Sequence, residues 1–363
     1  MKLYARSQVY IAVAAGLFSV AALPSVLAAQ ADSAVDRAEA QAHQAWREVM
    51  HEISPVGTGC FHASYPSTRW EKVECADAPG YRSAPPKITQ TLGNAHDFVA
   101  QAPSGHLFNA AEGEFTKVSD VTSEKGVNVP FGDGESDGIT GKNEYTLQLN
   151  TDIAYTAACG VYADCFAWQQ YVMSTNTPVS LSSDKLTKKT QVFIEYWLIN
   201  YGASSSATCP AGFLNGGPSG AGGVNCVQNS KAVTVYDGQL PITNLANLEL
   251  EGTATENGTD YAIVYYDSDS YAASTKDSYT DISTEWSQAE FNVFGNAGGS
   301  RADFNTGASL TVAIVVSDGS TSAPTCIRPA KDDGTTGETN NLDPGECISE
   351  GGNLDYIEFV ESN

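Results

Sequence analysis

The segment Trp286 to Gly295, WSQAEFNVFG, sets a glutamate among amides and aromatic rings. Read with the period of two of a β-strand, Trp286, Gln288, Glu290, Asn292 and Phe294 share one side, while Ala289, Phe291 and Val293 share the other. The second set is an ordinary core face; the first lines up one acid, two amides and two aromatics. Three more segments carry the same chemistry. EYTLQLNTD, from Glu144, places Thr146, Gln148, Asn150 and Asp152 together, and QVFIEYWLINYG, from Gln191, does so for Gln191, Phe193, Glu195, Trp197 and Tyr201. FAWQQYVM, from Phe166, carries the adjacent amides Gln169 and Gln170, of which only one can join any given face. A concave sheet of such faces would offer amides, two carboxylates and aromatic platforms to an extended polymer. On it a carboxylate can activate water as general base and then protonate the leaving group, while an amide NH2 donates to the developing oxyanion.

The elements that must position these residues are strands. From about Thr89 onward, short runs rich in Val, Ile, Tyr, Phe and Thr alternate with clusters of Gly, Asn, Asp and Ser. That alternation predicts an all-β fold, an antiparallel β-sandwich of the jelly-roll or concanavalin-like kind. Strands are expected near 97 to 101, 107 to 118, 144 to 153, 165 to 173, 190 to 201, 231 to 235, 246 to 255, 260 to 267, 286 to 295 and 308 to 317. Ser33 to Ile53, rich in Ala, Glu, Gln and Arg without Gly or Pro, predicts a short N-terminal helix. The chain divides into a signal peptide (1–29), a helical and disulfide-containing segment that could be a propeptide or a docking helix (30–88), the sandwich (89–320) and an acidic tail (321–363).

Lys2 and Arg6 precede an apolar run ending in the small residues Ala28 and Ala29, the pattern of a secretory signal peptide. No later run is long enough to span a bilayer, so the mature form is expected to be secreted and free of the membrane. The eight cysteines fall as sequence neighbours and predict four local disulfides: Cys60 with Cys75, Cys159 with Cys165, Cys209 with Cys226, and Cys326 with Cys347. None forms a CxxC pair, which argues against zinc. A net charge of -24 with 19 Lys plus Arg argues against nucleic acid and anionic membranes as partners and suits a protein working in acid.

In order and spacing the motifs resemble the glutamic endopeptidases of the scytalidoglutamic (eqolisin) family. DFVAQ (Asp97 to Gln101) and FNAAEGEFTKV (Phe108 to Val118) resemble the family's NWAGAV opening and the strand pair that follows it. AWQQYVM is similar to the ILQTGVDF strand, FIEYW to the W-Y-E-W strand, and QAEFNVFG to NAEWIVEDF. The resemblance spans about Gly93 to Gly319. It implies a secreted acid endopeptidase, a monomer acting on polypeptide by direct water attack with no cofactor and no metal. Glu290 would be the catalytic glutamate and Gln169 the catalytic glutamine, with Gln170 as the register alternative; Glu195, Trp197 and Trp286 would contact substrate. Two positions depart from the family: Phe98 stands for the tryptophan of NWAGAV, and Met173 for an aspartate four residues after the glutamine.

Other readings use the same residues. VFIEYWLINYG also resembles the E-Y-Y strand of jelly-roll xylanases, so Glu195 and Glu290 could form a glycosidase pair, or the two-carboxylate arrangement of neprosin-like peptidases. A non-catalytic carbohydrate- or peptide-binding sandwich would use the aromatics alone. All five histidines precede the candidate strands and no Ser sits in a GxSxG elbow, which argues against a Ser/His/Asp hydrolase. DGESDGITGKNE, Asp133 to Glu144, matches a calcium-loop pattern except for Glu135 at its third position, so a solvated acidic loop and a calcium loop both remain open. Asn257-Gly258 reads as a hairpin turn.

Overall fold

A computed structural model describes residues 25–78, 92–94, 96–128, 140–176, 188–296, 300–329 and 338–363. The expected all-β sandwich is observed. Sheet I has nine strands, in spatial order Glu71–Val73, Cys60–Ser64, Asp269–Lys276, Thr259–Tyr266, Leu248–Thr253, Ala110–Ser119, Ser309–Ser317, Asp355–Ser362 and Asp343–Glu350. Sheet II runs Leu214–Pro218, Val224–Asn229, Thr190–Tyr201, Phe166–Ser174, Tyr145–Thr151, Gln288–Gly295, Val99–Gln101 and Thr325–Ile327, with Val233–Tyr236 also paired to Thr190–Tyr201. A small third sheet joins Thr339–Asn340, Ser300–Phe304, Glu124–Asn128 and Gly141–Lys142.

The two large sheets close over one apolar core, because each strand sends alternate side chains inward. Phe291, Val293, Leu147, Leu149, Tyr171, Met173 and Ile194 come from sheet II, and Phe115, Leu250, Val264, Val312, Ile314 and Phe359 from sheet I. Two glycines of sheet I make room for the largest rings. A Cβ at Gly113 would sit 2.0 Å from Phe291, and one at Gly252 2.3 Å from Tyr171, so the sheets could not approach this closely with any other residue there.

The helix, α1 (Ser25–His51), starts earlier than expected and ends two residues sooner. Trp46 and Met50, one turn apart, bury themselves on the outer face of sheet I against Phe61, Tyr261, Ile263 and Tyr265. The stretch read as a tail is woven into both sheets: Asp355–Ser362 pairs with Ser309–Ser317, and Thr325–Ile327 with Val99–Gln101. All four expected disulfides form, Cys326–Cys347 linking an edge of sheet II to an edge of sheet I. Such bridges fit an oxidising, extracellular type of environment. Among the described residues no helix is long and apolar enough to cross a membrane. Residues 1–24, which hold most of the expected signal peptide, lie outside the described residues.

Candidate functional site

Antiparallel pairing lays a polar row across sheet II. Glu290 is paired with Asn150, Asn150 with Gln170, Gln170 with Glu195, and Glu195 with Asn229. Directly paired residues project from the same face, so one row of strand positions delivers acids and amides from five strands. Its side chains also connect. Asn150 Nδ2 donates to Glu290 Oε2 at 2.9 Å and to Gln148 Oε1 at 3.4 Å, while Gln170 Nε2 donates to Asn150 Oδ1 at 3.0 Å and to Gln148 Oε1 at 3.1 Å. Glu195 Oε1 accepts from the indole of Trp197 at 3.0 Å.

This face holds Glu290, Gln170, Glu195 and Trp197, but neither Gln169 nor Trp286. Gln169 points between the sheets, donating to Asp260 Oδ2 at 2.9 Å and to the Tyr171 hydroxyl, and accepting from Thr280 Oγ1 at 2.7 Å. Both ends of its amide are thus occupied by the core, and the sequence pairing of Gln169 with Glu290 is corrected to Gln170. The reason is the period of two: one residue of register sends a side chain to the opposite face. Trp286 also fails the expected alternation. It precedes the strand, which begins at Gln288, and its ring packs in the inter-sheet core against Phe108 and Tyr171.

Two residues closest to Glu290 were not assigned a role from sequence. Asn150, recognised only as one of several polar residues on its strand, is the amide in direct contact with the carboxylate. Asp97 lies two residues before Val99, the partner of Glu290 on its other side, which brings the two carboxyls near enough for the charge of Asp97 to act on Glu290. Asp97 Oδ1 accepts from the Asn94 amide at 3.3 Å, whereas Asp97 Oδ2 and Glu290 Oε1 are buried without a hydrogen-bond partner. Gly93, at φ +102°, brings the chain close beside the pair, where a Cβ would lie 2.9 Å from Asp97 Oδ1.

Both acids are fully buried, and burial raises both pKa values; for Glu290 the Asp97 charge and then that of Glu338 push further up. Glu361 sits at the same corner, also fully buried. Burial lifts its pKa to about 8 although Asn292 Nδ2 donates to it at 2.9 Å. Glu290, Asn150, Gln148, Gln170 and Glu195 are all buried, Gln148 being the most exposed at 5 %, while Asn229 at the far end of the row is half-buried. Beside the carboxyl pair, Leu92 N donates to Gln288 Oε1, Asn94 Nδ2 to the Glu338 carbonyl at 2.8 Å, and His96 Nδ1 contacts the Leu342 carbonyl at 3.0 Å, so residues 92–98 and 338–342 are tied together here.

Two open clefts among the described residues lie away from this row. One of about 720 Å³ is lined by Phe61, Trp70, Arg69 and Lys72, and one of about 410 Å³ by His51, Glu112, Glu251 and Asp355. Among the described residues, His51, Glu112 and Glu249 are the one group of three ligand-type side chains within 4.8 Å of one another. That cluster already has its cations. Arg47 pairs with Glu249 at 2.9 Å, and although burial lowers the His51 pKa, hydrogen bonds to Glu112, Glu249 and Glu251 raise it to about 12, so its ring is protonated and no ligand.

Glu195 and Glu290 stand three strand spacings apart, roughly 14 Å at about 4.8 Å per spacing. A glycosidase pair needs about 5 to 9.5 Å between its carboxyls, narrower than this backbone spacing. What the arrangement offers is two neighbouring buried acids beside a row of hydrogen-bonded amides. No protein-family model matches this chain, and no curated protein matches it in sequence.

Proposed function

We propose that the chain is a secreted acid endopeptidase of glutamic type, with the Glu290–Asp97 pair as its acid and base and Asn150 and Gln170 as its amide donors. The observation that carries this reading is the closeness of two fully buried carboxyls, each with an unpartnered oxygen, one of them held on its other oxygen by a side-chain amide. With one proton on the pair, the ionised member takes a proton from water as it attacks the peptide carbonyl, and the protonated member gives one to the leaving amine. The carbonyl oxygen gains charge in that step; the amides of Asn150 and Gln170, which in the closed row donate to Glu290, Gln148 and Asn150, would stabilise it by exchanging one of these bonds for the substrate oxygen. No covalent intermediate is required. Secretion agrees with the signal-like N-terminus and the four disulfides.

Because Glu290, Asn150, Gln170 and Glu195 are buried, peptide reaches them only if the chain covering them moves. The same enclosure favours a second reading, a non-catalytic sandwich in which the row is an internal polar network. The purified mature protein, assayed from pH 2 to 7 on an unfolded protein substrate, separates them. Under the first reading, peptide bonds are cut, Glu290→Gln abolishes cleavage while keeping its fold, and Gln170→Ala lowers the rate by about 10² to 10³. A folded Glu290→Gln variant that still cuts would remove Glu290 from the chemistry, and a wild type inert at every pH would leave the network reading.

A further inference from the structure

A second pair of buried acids lies where the small third sheet meets sheet II. Glu124 opens the strand Glu124–Asn128 and Glu144 immediately precedes the strand Tyr145–Thr151; the amide of Asn143 donates to the Glu124 carbonyl at 3.3 Å, which holds the two segments side by side. Glu124 is 1 % exposed and Glu144 6 %. One oxygen of Glu144 is well served, accepting from Asn176 Nδ2 and from Gln239 Nε2, each at 2.7 Å. The other, Oε2, has no partner. Neither carboxylate oxygen of Glu124 has a well-formed hydrogen bond, and the fully buried Tyr145 hydroxyl is also unpartnered. The nearby amides of Glu144 and Asn143 offset only part of the burial felt by Glu124, and the Glu144 charge adds to it.

Three unpartnered oxygens of two neighbouring buried carboxyls are costly unless something positive completes them. The charge of Lys188 and the amide of Asn296 favour ionised Glu144, but no Lys or Arg forms an ion pair with either carboxylate among the described residues. Two carboxylates form an all-oxygen donor set, which selects a hard cation over zinc or copper. We propose that Glu124 and Glu144 bind a divalent hard cation, calcium by preference, and that this ion pins the small sheet to sheet II. Calcium is favoured over magnesium because it accepts irregular sets of six to eight oxygens, whereas magnesium demands a near-ideal octahedron. Glu144 is also the closing position of the acidic stretch that resembles a calcium loop; residues 129–139 of that stretch lie outside the described residues and form no part of the site argued here.

The test uses the full mature chain, stripped with chelator and titrated with calcium chloride by calorimetry, with melting followed in parallel. Saturating calcium is expected to raise the melting temperature by a few degrees. Glu124→Gln and Glu144→Gln should each lose the binding heat and the shift. Glu124→Gln without calcium should melt at or above the calcium-free wild type, since it removes a buried like charge, and this keeps loss of binding distinct from loss of fold. Absence of any calcium response in the wild type overturns the proposal. So does binding that survives both substitutions but is lost in Glu112→Gln, which would move the ion to the His51 cluster.

Discussion

At the scale of single residues, the proposed chemistry depends on how two acids would divide one proton. After burial, the charge of Asp97 raises the Glu290 pKa most, so Asp97→Asn should let the Glu290 pKa fall. For a general base this moves the acid limb of the rate profile to lower pH. If Asp97 also shares the transferred proton, kcat drops by about 10² or more; both are read from one pH series of kcat and kcat/KM. An Asp97→Asn enzyme with unchanged limbs would show that Glu290 acts alone. The alternation of QAEFNVFG was enough to single out Glu290, and that of EYTLQLNTD to put Asn150 among polar neighbours. Asp97 was not legible, because nothing local to DFVAQ says that the chain before a three-residue strand turns back over a glutamate nearly two hundred residues away. A cheap signal did exist: an aspartate beside apolar Phe98, Val99 and Ala100 is an acid headed for burial. Gln169 and Gln170 illustrate the opposite limit, where the element is clear and a one-residue choice of face is not.

At the scale of elements, α1 is held by charge as well as by Trp46 and Met50. His51 Nδ1 lies 3.2 Å from Glu112 and His51 Nε2 3.3 Å from Glu249, with Glu251 at 3.8 Å. Without the ring, three carboxylates on the outer face of sheet I would have Arg47 alone as counter-charge. His51→Ala is therefore expected to cost about 2 to 3 kcal/mol at pH 7, less than a fully buried pair because the side chain keeps some exposure to water. The loss should shrink near pH 4, where Glu112, its pKa raised by burial, gives up its charge; chemical denaturation of both proteins at the two pH values measures it. A cost independent of pH would mean that the ring acts by packing on Tyr265 rather than by charge. The ten strands expected from Val, Ile, Tyr and Phe runs all appear, Thr190–Tyr201 with the expected ends and the others with an end shifted. Two of those not foreseen have sequences that resemble turns or tails: Asp269–Lys276, DSYAASTK, is mostly small and polar, and Asp343–Glu350, DPGECISE, is an acidic edge with a proline. Neighbouring strands hold them in the sheet, and propensity does not reveal it.

At the scale of the whole molecule, burial of acids sets the response to pH. Glu361 is raised to about 8 and Glu114 and Asp260 to about 7, in each case first by burial. The folded state therefore holds protons that the unfolded chain has released. Their contribution to stability is complete below the ordinary carboxylate pKa of about 4.5 and is lost as pH rises through about 7 to 8. His51, raised to about 12, adds to stability in the same direction, its share being full below about 6.5 and lost as pH rises toward 12. Melting temperature should accordingly be higher at pH 4 to 5 than at pH 8, and a calorimetric series gives the answer; greater stability at pH 8 would mean that these acids are ionised in the fold after all. The row across sheet II has one more consequence. Its key contact joins residues 140 positions apart, and each neighbour in it arrives on a different strand. Before the sheet closes, Asp97, Asn150, Gln170 and Glu290 are scattered along a chain of ordinary, independent side chains. A protein that cuts other proteins would in this way be harmless while it is being made and moved, with reactivity arriving at the moment of folding and no separate inhibitor needed to guard the compartment of synthesis.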